Sequence, residues 1–300
     1  MNLLVTGAIG SSKDILLELE KMGNNVIFLQ NEKDELPTAP EQIEGIICNG
    51  LFFHHPIEKF INLKYIQLTS AGFDRVPMEY VEEKGIAIYN ARGVYSIPMA
   101  EYAVCGVLSL YKQMQFFNKN QNEHKWEKHR KLPELFGKTV LIVGCGSVGN
   151  ECAMRFKAFG TKIIGCDINT CYNPNFNKIY YIDELYSVLP MADIVVLTLP
   201  LSDKTRHLID EKAFSKFKDA SVLVNISRGA VLETNALINA LENKLFGAVL
   251  DVFEEEPLNS SSPLWDMQNV IITPHNSFVG EGNKLRLYEL ILNNLWRYSK

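Results

Sequence analysis

Residues 138–167, KTVLIVGCGSVGNECAMRFKAFGTKIIGCD, leave this chain few folds to choose from. The apolar, β-branched run 139–143 suits a strand buried on both faces of a parallel sheet. Gly144, Gly146 and Gly149 follow at once as G-x-G-x-x-G. One glycine allows the tight turn, one lets backbone approach a pyrophosphate, and one lets helix and strand pack closely. A helix opening there aims unpaired N–H groups and the positive end of its dipole at phosphate. A second apolar strand, 162–166, then ends in Asp167, 18 positions after Gly149. That is about where an acidic side chain takes the ribose hydroxyls of a dinucleotide. A carboxylate there repels a 2′-phosphate, and Ile168 and Asn169 bring no cation to offset it, so the expected cofactor is NAD.

The rest of the chain supports two domains of ordinary size, since this unit sits almost halfway along 300 residues. An apolar fraction of 47%, a charged fraction of 22% and a net charge of -5 belong to a globular, cytoplasmic protein without an electrostatic footprint for nucleic acid. No stretch is apolar and long enough to span a bilayer, and the N-terminus lacks the charged and apolar regions of a signal peptide. The six cysteines show no paired metal-ligand spacing and read as small buried apolar residues. His54 and His55 have no carboxylate or cysteine at ligand spacing, so no metal site is expected.

In chain order, residues 2–6 read as a strand, 7–12 as a turn and 13–22 as an amphipathic helix. The opening VTGAIGSS imitates a nucleotide loop, but its glycines are spaced G-x-x-G and the next strand, 26–29, ends in Gln30 rather than an acid. Strands near 44–48, 64–68 and 86–88 alternate with helical segments near 56–60 and 77–84, which implies a parallel sheet flanked by helices. Two loops lie at carboxyl ends of these strands, where open α/β sheets bind ligands. The first is 49–55, NGLFFHH; the second is 69–76, TSAGFDRV, where Ser70, Ala71 and Gly72 are small enough to bring backbone N–H groups close to an anion. The apolar stretch 97–117 reads as one buried helix, followed by a polar arm, 118–131, with Trp126 as its anchor.

After Asp167 the alternation resumes, and polar clusters fall at the carboxyl ends of strands near 221–225, 247–250 and 270–273. Arg228, between Ser227 and Gly229, can bind a carboxylate in a fork. His275, after Pro274, can move a proton near neutral pH, and an adjacent carboxylate would fix its tautomer. Among Glu254, Glu255 and Glu256, the last is the expected partner. An NAD site, an acid/base, its orienting carboxylate and an anion-binding arginine make a hydride-transfer centre.

These motifs, GCGSVG with Asp167, NISRGAVLE, GAVLDVFEEEPL and ITPHNS, together with TSAGFDRV and PMAEYAV, resemble the D-isomer-specific 2-hydroxyacid dehydrogenase family over nearly the whole chain. The resemblance implies Arg228, Glu256 and His275 as the catalytic set. It implies NAD contacts at Ser147, Val148, Asp167, Ile226, Ser227 and Asp251, and a substrate carboxylate held by the amides of Ala71 and Gly72. It further implies a flavodoxin-like substrate domain, residues 1–96 and 277–300, with a Rossmann NAD-binding domain, 97–276, inserted into it, and a homodimer built on the insert. A glutamate at 256 argues against formate-oxidising relatives, which need no proton acceptor.

Substrate choice should rest on the loop 49–55, with Leu51, Phe52 and Phe53, and on Arg75 and Arg92. The apolar loop favours a small unphosphorylated 2-oxo acid, interconverted with its D-2-hydroxy acid; hydroxypyruvate, glyoxylate and phosphohydroxypyruvate are the alternatives. No serine-feedback regulatory domain is expected. A binding protein of the NAD-responsive corepressor type would be expected to carry disordered tails, for which the sequence gives no sign. A short-chain-type reductase would need a Tyr-x-x-x-Lys pair, which Tyr65, Tyr89, Tyr95 and Tyr102 do not supply; Tyr80 has Lys84 at that spacing, but the N-terminal glycines such an enzyme would use are spaced G-x-x-G and do not make its dinucleotide turn.

Overall fold

The computed structural model describes residues 1–10 and 13–300; Ser11 and Ser12, within the turn expected after the first strand, lie outside the described residues. Two compact units emerge, Met1–Tyr95 with Gly280–Lys300, and Ser96–Val279.

In the first unit β1 (Asn2–Thr6), β2 (Asn25–Leu29), β3 (Gly45–Cys48), β4 (Tyr65–Leu68) and β5 (Ala87–Tyr89) form a parallel sheet in the order β2-β1-β3-β4-β5. This is the flavodoxin-like order, with its switch point between β1 and β3. Alternation within each strand splits the core in two. Leu4, Ile46 and Ile66 join Leu51, Ile57 and Phe60 on one face; Leu3, Val5, Ile47 and Tyr65 lie on the other, under Leu287, Ile291 and Leu295. Those last three recur every fourth residue along the helix Asn283–Tyr298, so one stripe returns to the sheet and makes the chain's end part of its first unit. Each fully buried leucine there contributes about 1.5–3 kcal/mol.

In the second unit β6 (Thr139–Val143), β7 (Lys162–Asp167), β8 (Lys178–Tyr181), β9 (Ile194–Leu197), β10 (Val222–Asn225), β11 (Gly247–Leu250) and β12 (Val270–Ile272) are all parallel, in the order β12-β11-β10-β9-β6-β7-β8. Relative to β6 as first strand this is 3-2-1-4-5-6 with one strand added, the dinucleotide-binding order, and its switch point lies between β6 and β9. The helices Ser96–Tyr111 and Ser147–Ala158 cover one face together, through Ala100, Ala103 and Val107 and through Cys152, Ala153 and Phe156. Gly106 sits so close to β11 that a Cβ on it would lie 2.6 Å from Val249 Cγ1.

Three expectations change. The apolar stretch 97–117 is not one helix, because Gln113 takes a left-handed φ of 52° and divides it into Ser96–Tyr111 and Met114–Asn122. Neighbouring contacts fix this break: Lys112 Nζ donates to the Pro133 carbonyl at 2.8 Å, and the Gln113 side chain donates to the Leu110 carbonyl at 3.1 Å. Trp126 anchors nothing within its own unit, with 98% of its surface exposed. Of the cysteines, Cys48, Cys152 and Cys166 are buried and Cys145 is partly so, but Cys105 and Cys171 are exposed. The edge strand β8 carried no sequence signal strong enough to be expected.

Candidate active site

The glycine turn after β6 has the geometry its sequence requires. Gly144 has a φ of 97°, and a Cβ there would lie 2.8 Å from the Leu199 backbone nitrogen; one on Gly149 would lie 2.1 Å from the Gly144 carbonyl oxygen. Gly146 is the N-cap of the helix Ser147–Ala158 and brings no side chain of its own to that N-terminus. Asp167 Oδ2 accepts from the Cys145 N–H at 2.6 Å, and its Oδ1 from the Asn169 N–H at 2.9 Å. The carboxylate at the end of β7 therefore fastens the turn to the neighbouring strand. This cradle of small residues, helix N-terminus and carboxylate fits the pyrophosphate and ribose of a dinucleotide. Burial, reinforced by Asp167, pushes the Cys145 thiol up to about 12, so it is no ready nucleophile.

At the next strand ends three polar clusters are tied together by hydrogen bonds and close packing. Asn225, the last residue of β10, accepts from the Ser227 N–H and hydroxyl and donates to the Arg228 carbonyl, which shapes the turn that presents Arg228. Ile226 and Ser227 are buried beneath it. The Arg228 guanidinium also donates to the Ser227 carbonyl at 2.8 Å. Gly229 allows the segment after β11 to pass directly over this turn, since a Cβ on it would lie 1.8 Å from the Phe253 carbonyl carbon.

His275 follows β12 with a left-handed φ of 51°, an uncommon backbone state for a residue with a Cβ. Its N–H donates to the Asp251 carbonyl at 2.8 Å. The Asp251 carboxylate, wholly buried, accepts from the Thr273 hydroxyl at 2.6 Å and from the Asn276 and Ser277 N–H groups at 2.7 and 2.9 Å. Tyr102 bonds the same Thr273 hydroxyl at 2.6 Å. Sequence reasoning gave Asp251 only a cofactor contact; the structure gives it the task of holding the turn that carries His275. The imidazole Nδ1 lies 2.8 Å from Glu256 Oε2, and Glu256 Oε1 accepts from the Phe253 N–H at 3.0 Å. Glu256 is thus fixed by its own loop while it fixes the histidine, and the opposite ring nitrogen, Nε2, points away from the carboxylate. Such an arrangement can hold one tautomer and stabilise an imidazolium.

In the first unit, Ser70 and Ala71 both give their carbonyls to one neighbouring segment: Ser70 to the Ala91 N–H at 2.8 Å, Ala71 to Asn90 Nδ2 at 2.6 Å. A trans peptide points its N–H opposite to its carbonyl, so the amides of Ala71 and Gly72 turn the other way, as an anion site needs. Of the apolar loop residues, Leu51 is core and Phe52 stacks edge-on against Phe60 at 6.2 Å; Phe53 is 67% exposed. Arg75 Nη1 is bonded to Asn49 Oδ1 at 2.8 Å. One residue that sequence reasoning missed organises this loop. Glu32 accepts from Thr6 Oγ1 at 2.7 Å and from the Asn49 and Gly50 N–H groups at 2.6 Å each, while its carbonyl meets His55 Nε2 at 2.9 Å. Its place shortly after β2, as Asp167 closes β7, is the signal that could have found it.

Known proteins resemble this chain in sequence and in fold. Residues 104–277 match the sequence model of the D-isomer specific 2-hydroxyacid dehydrogenase, NAD binding domain. The chain is 34% identical over 245 residues to the glyoxylate reductase of Thermofilum pendens, which covers 78% of this chain and 71% of that protein. It is 32% identical over 274 residues to the D-3-phosphoglycerate dehydrogenase of Methanocaldococcus jannaschii, over 88% of this chain but only 51% of that protein. The crystal structure of a glyoxylate reductase from Paecilomyes thermophila superposes with a TM-score of 0.83 at 26% identity, over 98% of this chain and 94% of that one. This chain belongs to the D-isomer-specific 2-hydroxyacid dehydrogenase family, and residues 104–277 are its NAD-binding domain.

Proposed function

We propose that the chain reduces a small unphosphorylated 2-oxo acid to the D-2-hydroxy acid with NADH. The observation that carries this reading is the 2.8 Å pairing of His275 Nδ1 with Glu256 beside the glycine turn's own sheet edge. NADH, when bound, supplies the hydride. His275 delivers a proton from Nε2 to the oxygen as negative charge develops on it, and Glu256 stabilises the imidazolium form from which that proton leaves. Arg228 binds the substrate carboxylate in a fork, and in the first unit the amides of Ala71 and Gly72 are neutral anion donors. Ser147, Val148, Asp167, Ile226, Ser227 and Asp251 make up the cofactor-binding set.

The exposed phenyl ring of Phe53 and the engagement of Arg75 with Asn49 support a side chain without phosphate, in keeping with the relatives named glyoxylate reductase. The same reading includes a homodimer formed through Ser96–Val279, where Trp126 and Phe136 are exposed; light scattering measures it.

The test is oxidation of NADH, followed by its absorbance, against glyoxylate, pyruvate, hydroxypyruvate, phosphohydroxypyruvate and larger 2-oxo acids. Turnover of the small acids with NADH is the expected result. Preference for phosphohydroxypyruvate would move the chain to the phosphoglycerate dehydrogenase side of the family, and binding of NADH without turnover of any acid would overturn the catalytic reading. His275→Ala should lower turnover by roughly 10²–10⁴-fold with NADH affinity kept.

A further inference from the structure

The run Glu254–Glu255–Glu256 contains two glutamates that pair with histidines, and only one of the pairs has been given a task. Glu254 Oε1 lies 2.6 Å from His207 Nε2, across 47 residues of sequence. Its other oxygen accepts from both the N–H and the hydroxyl of Thr234, the first residue of the helix Thr234–Asn243. His207, like His275, has a φ of 51°, and its N–H donates to the Ala230 carbonyl at 2.8 Å. Both partners of Glu254 therefore belong to the segment that continues from Arg228 or are anchored to it: Thr234 lies in it, and His207 is held to it by its bond to Ala230, with Ile209 two residues on pairing with Leu232.

From this arrangement we infer that Glu254, with His207, is a positioning residue for the reaction: it clamps the loop 253–256 down on the turn of Arg228 and so sets where Glu256 meets His275. The inference rests on the proposed roles of Glu256 and His275. Three observations join the clamp to that pair. The loop crosses Gly229 at backbone contact, since a Cβ there would lie 2.4 Å from the Glu254 nitrogen. The Glu256 side chain is bonded back to Phe253 N–H at 3.0 Å, so Glu256 moves with the loop. Glu254 carries its charge readily: burial opposes it, but the Thr234 hydroxyl and N–H and His207 outweigh that and hold its carboxyl below the usual range. A negative group at a helix N-terminus is also the sign the dipole favours. The pair His207–Glu254 resembles the acid/base pair in composition, but the second oxygen of Glu254 is tied to both the N–H and the hydroxyl of Thr234, and the product of the pair is geometry.

The test uses the full chain labelled with ¹⁵N-histidine, with His275→Gln identifying the His275 ring signals. In the wild type the Nδ1 proton bonded to Glu256 should give a low-field resonance. Glu254→Ala should move or abolish that resonance and lower kcat about 20-fold, with the Kd for NADH within twofold. Glu254→Gln, which keeps the shape and the Thr234 bonds, should fall between and serves if the alanine variant misfolds. His207→Gln, which restores a donor to Glu254, should recover most of what His207→Ala loses. In a Glu256→Gln background, Glu254→Ala should cost nothing further, because the residue it positions is already disabled. An unchanged His275 resonance in a folded Glu254 variant would overturn the inference, as would additive losses in the double variant. If the wild type reduces no 2-oxo acid, the proposed function fails, and the resonance still decides the clamp.

Discussion

The two sheets are alike at one end and different at the other. At the end where strands begin, each has a carboxylate on the residue just before the strand that neighbours its first. Glu44 precedes β3 and exchanges bonds with Asn2 of β1: its N–H donates to the Asn2 carbonyl at 3.0 Å and its carboxylate accepts the Asn2 N–H at 3.0 Å. Asp193 precedes β9 and does the same with Thr139 of β6, at 2.9 Å in both directions. Each carboxylate is also met by lysine, Lys64 at 3.0 Å in one unit and Lys218 at 2.7 Å in the other. At the end where strands finish, the carboxylates after the second strands do different work. Asp167 fastens its own glycine turn through Cys145, whereas Glu32 fastens the loop after β3 through Asn49 and Gly50. The shared end sets strand register, and at the divergent end each carboxylate holds a different loop.

Substitutions at the divergent end should therefore separate cofactor from substrate. Gly149→Ala places a methyl 2.1 Å from the Gly144 oxygen, so turn and helix must move apart. NADH affinity should fall by on the order of 100-fold. Gly7→Ala makes an equally close approach, 2.1 Å from the Gln30 oxygen, but in the other unit. It should lower thermal stability and leave the Kd for NADH within twofold. Weakened NADH binding in Gly7→Ala would break the comparison at its root. Asp167→Ala removes the charged acceptor of the Cys145 N–H along with the proposed ribose contact, and should weaken NADH by roughly 30-fold with less discrimination against NADPH. Fluorescence titration with both cofactors reads each value.

Much of this contrast was legible in the sequence. The spacing from Gly144 to Asp167 and the G-x-x-G decoy before Gln30 distinguish the two turns before any coordinates, because turn chemistry and strand endings are local. Arg228 and His275 could be chosen because each stands just past a strand end, where the fold places ligands, and Glu256 because it closes its acidic run just before Pro257. What was not legible depends on segments far apart in sequence. Glu32 meets Asn49 and Gly50 only after β1 and β3 have paired, and Glu254 finds His207 only when the loop after β11 has crossed Gly229. Asp251 has a second task for a related reason: its motif marks a cofactor edge, but the bonds its buried oxygens accept from Thr273, Asn276 and Ser277 form only once β12 is in place. The left-handed Gln113 shows the converse, a turn made by a residue type that does not announce one.

If Glu32 serves the substrate loop, its effect must appear in the substrate's constants and nowhere else. Glu32→Gln keeps the volume and one acceptor oxygen but gives up a charged acceptor for two backbone N–H groups. The KM for the preferred 2-oxo acid should rise roughly tenfold. NADH affinity should not change, and kcat should change less than KM. A rise in the NADH Kd instead would mean that the two carboxylates do not divide the work as their hydrogen bonds suggest.

The smallest effect belongs to the shared end, and its pH dependence gives it away. Partial burial works against the charge on Asp193, but the Lys218 ammonium, the Thr139 N–H and Lys138 outweigh it and hold the carboxyl below its ordinary range. Glu44 is lowered as well, by the Asn2 N–H first and then Lys64. A carboxyl depressed on folding adds stability that is complete above its unfolded value, near pH 4, and is lost as the pH falls through the folded value. Asp193→Asn should accordingly lower stability by about 1 kcal/mol at pH 7, a shift of ~2–4 °C for a unit of this size. The difference between variant and wild type should close as the pH drops below about 4, because the wild-type carboxyl is then protonated too. Turnover and both ligand affinities should be unchanged at neutral pH. Should Asp193→Asn alter NADH binding at constant fold, the two ends of the sheet would not be separable, and the division between register and function drawn from them would fail.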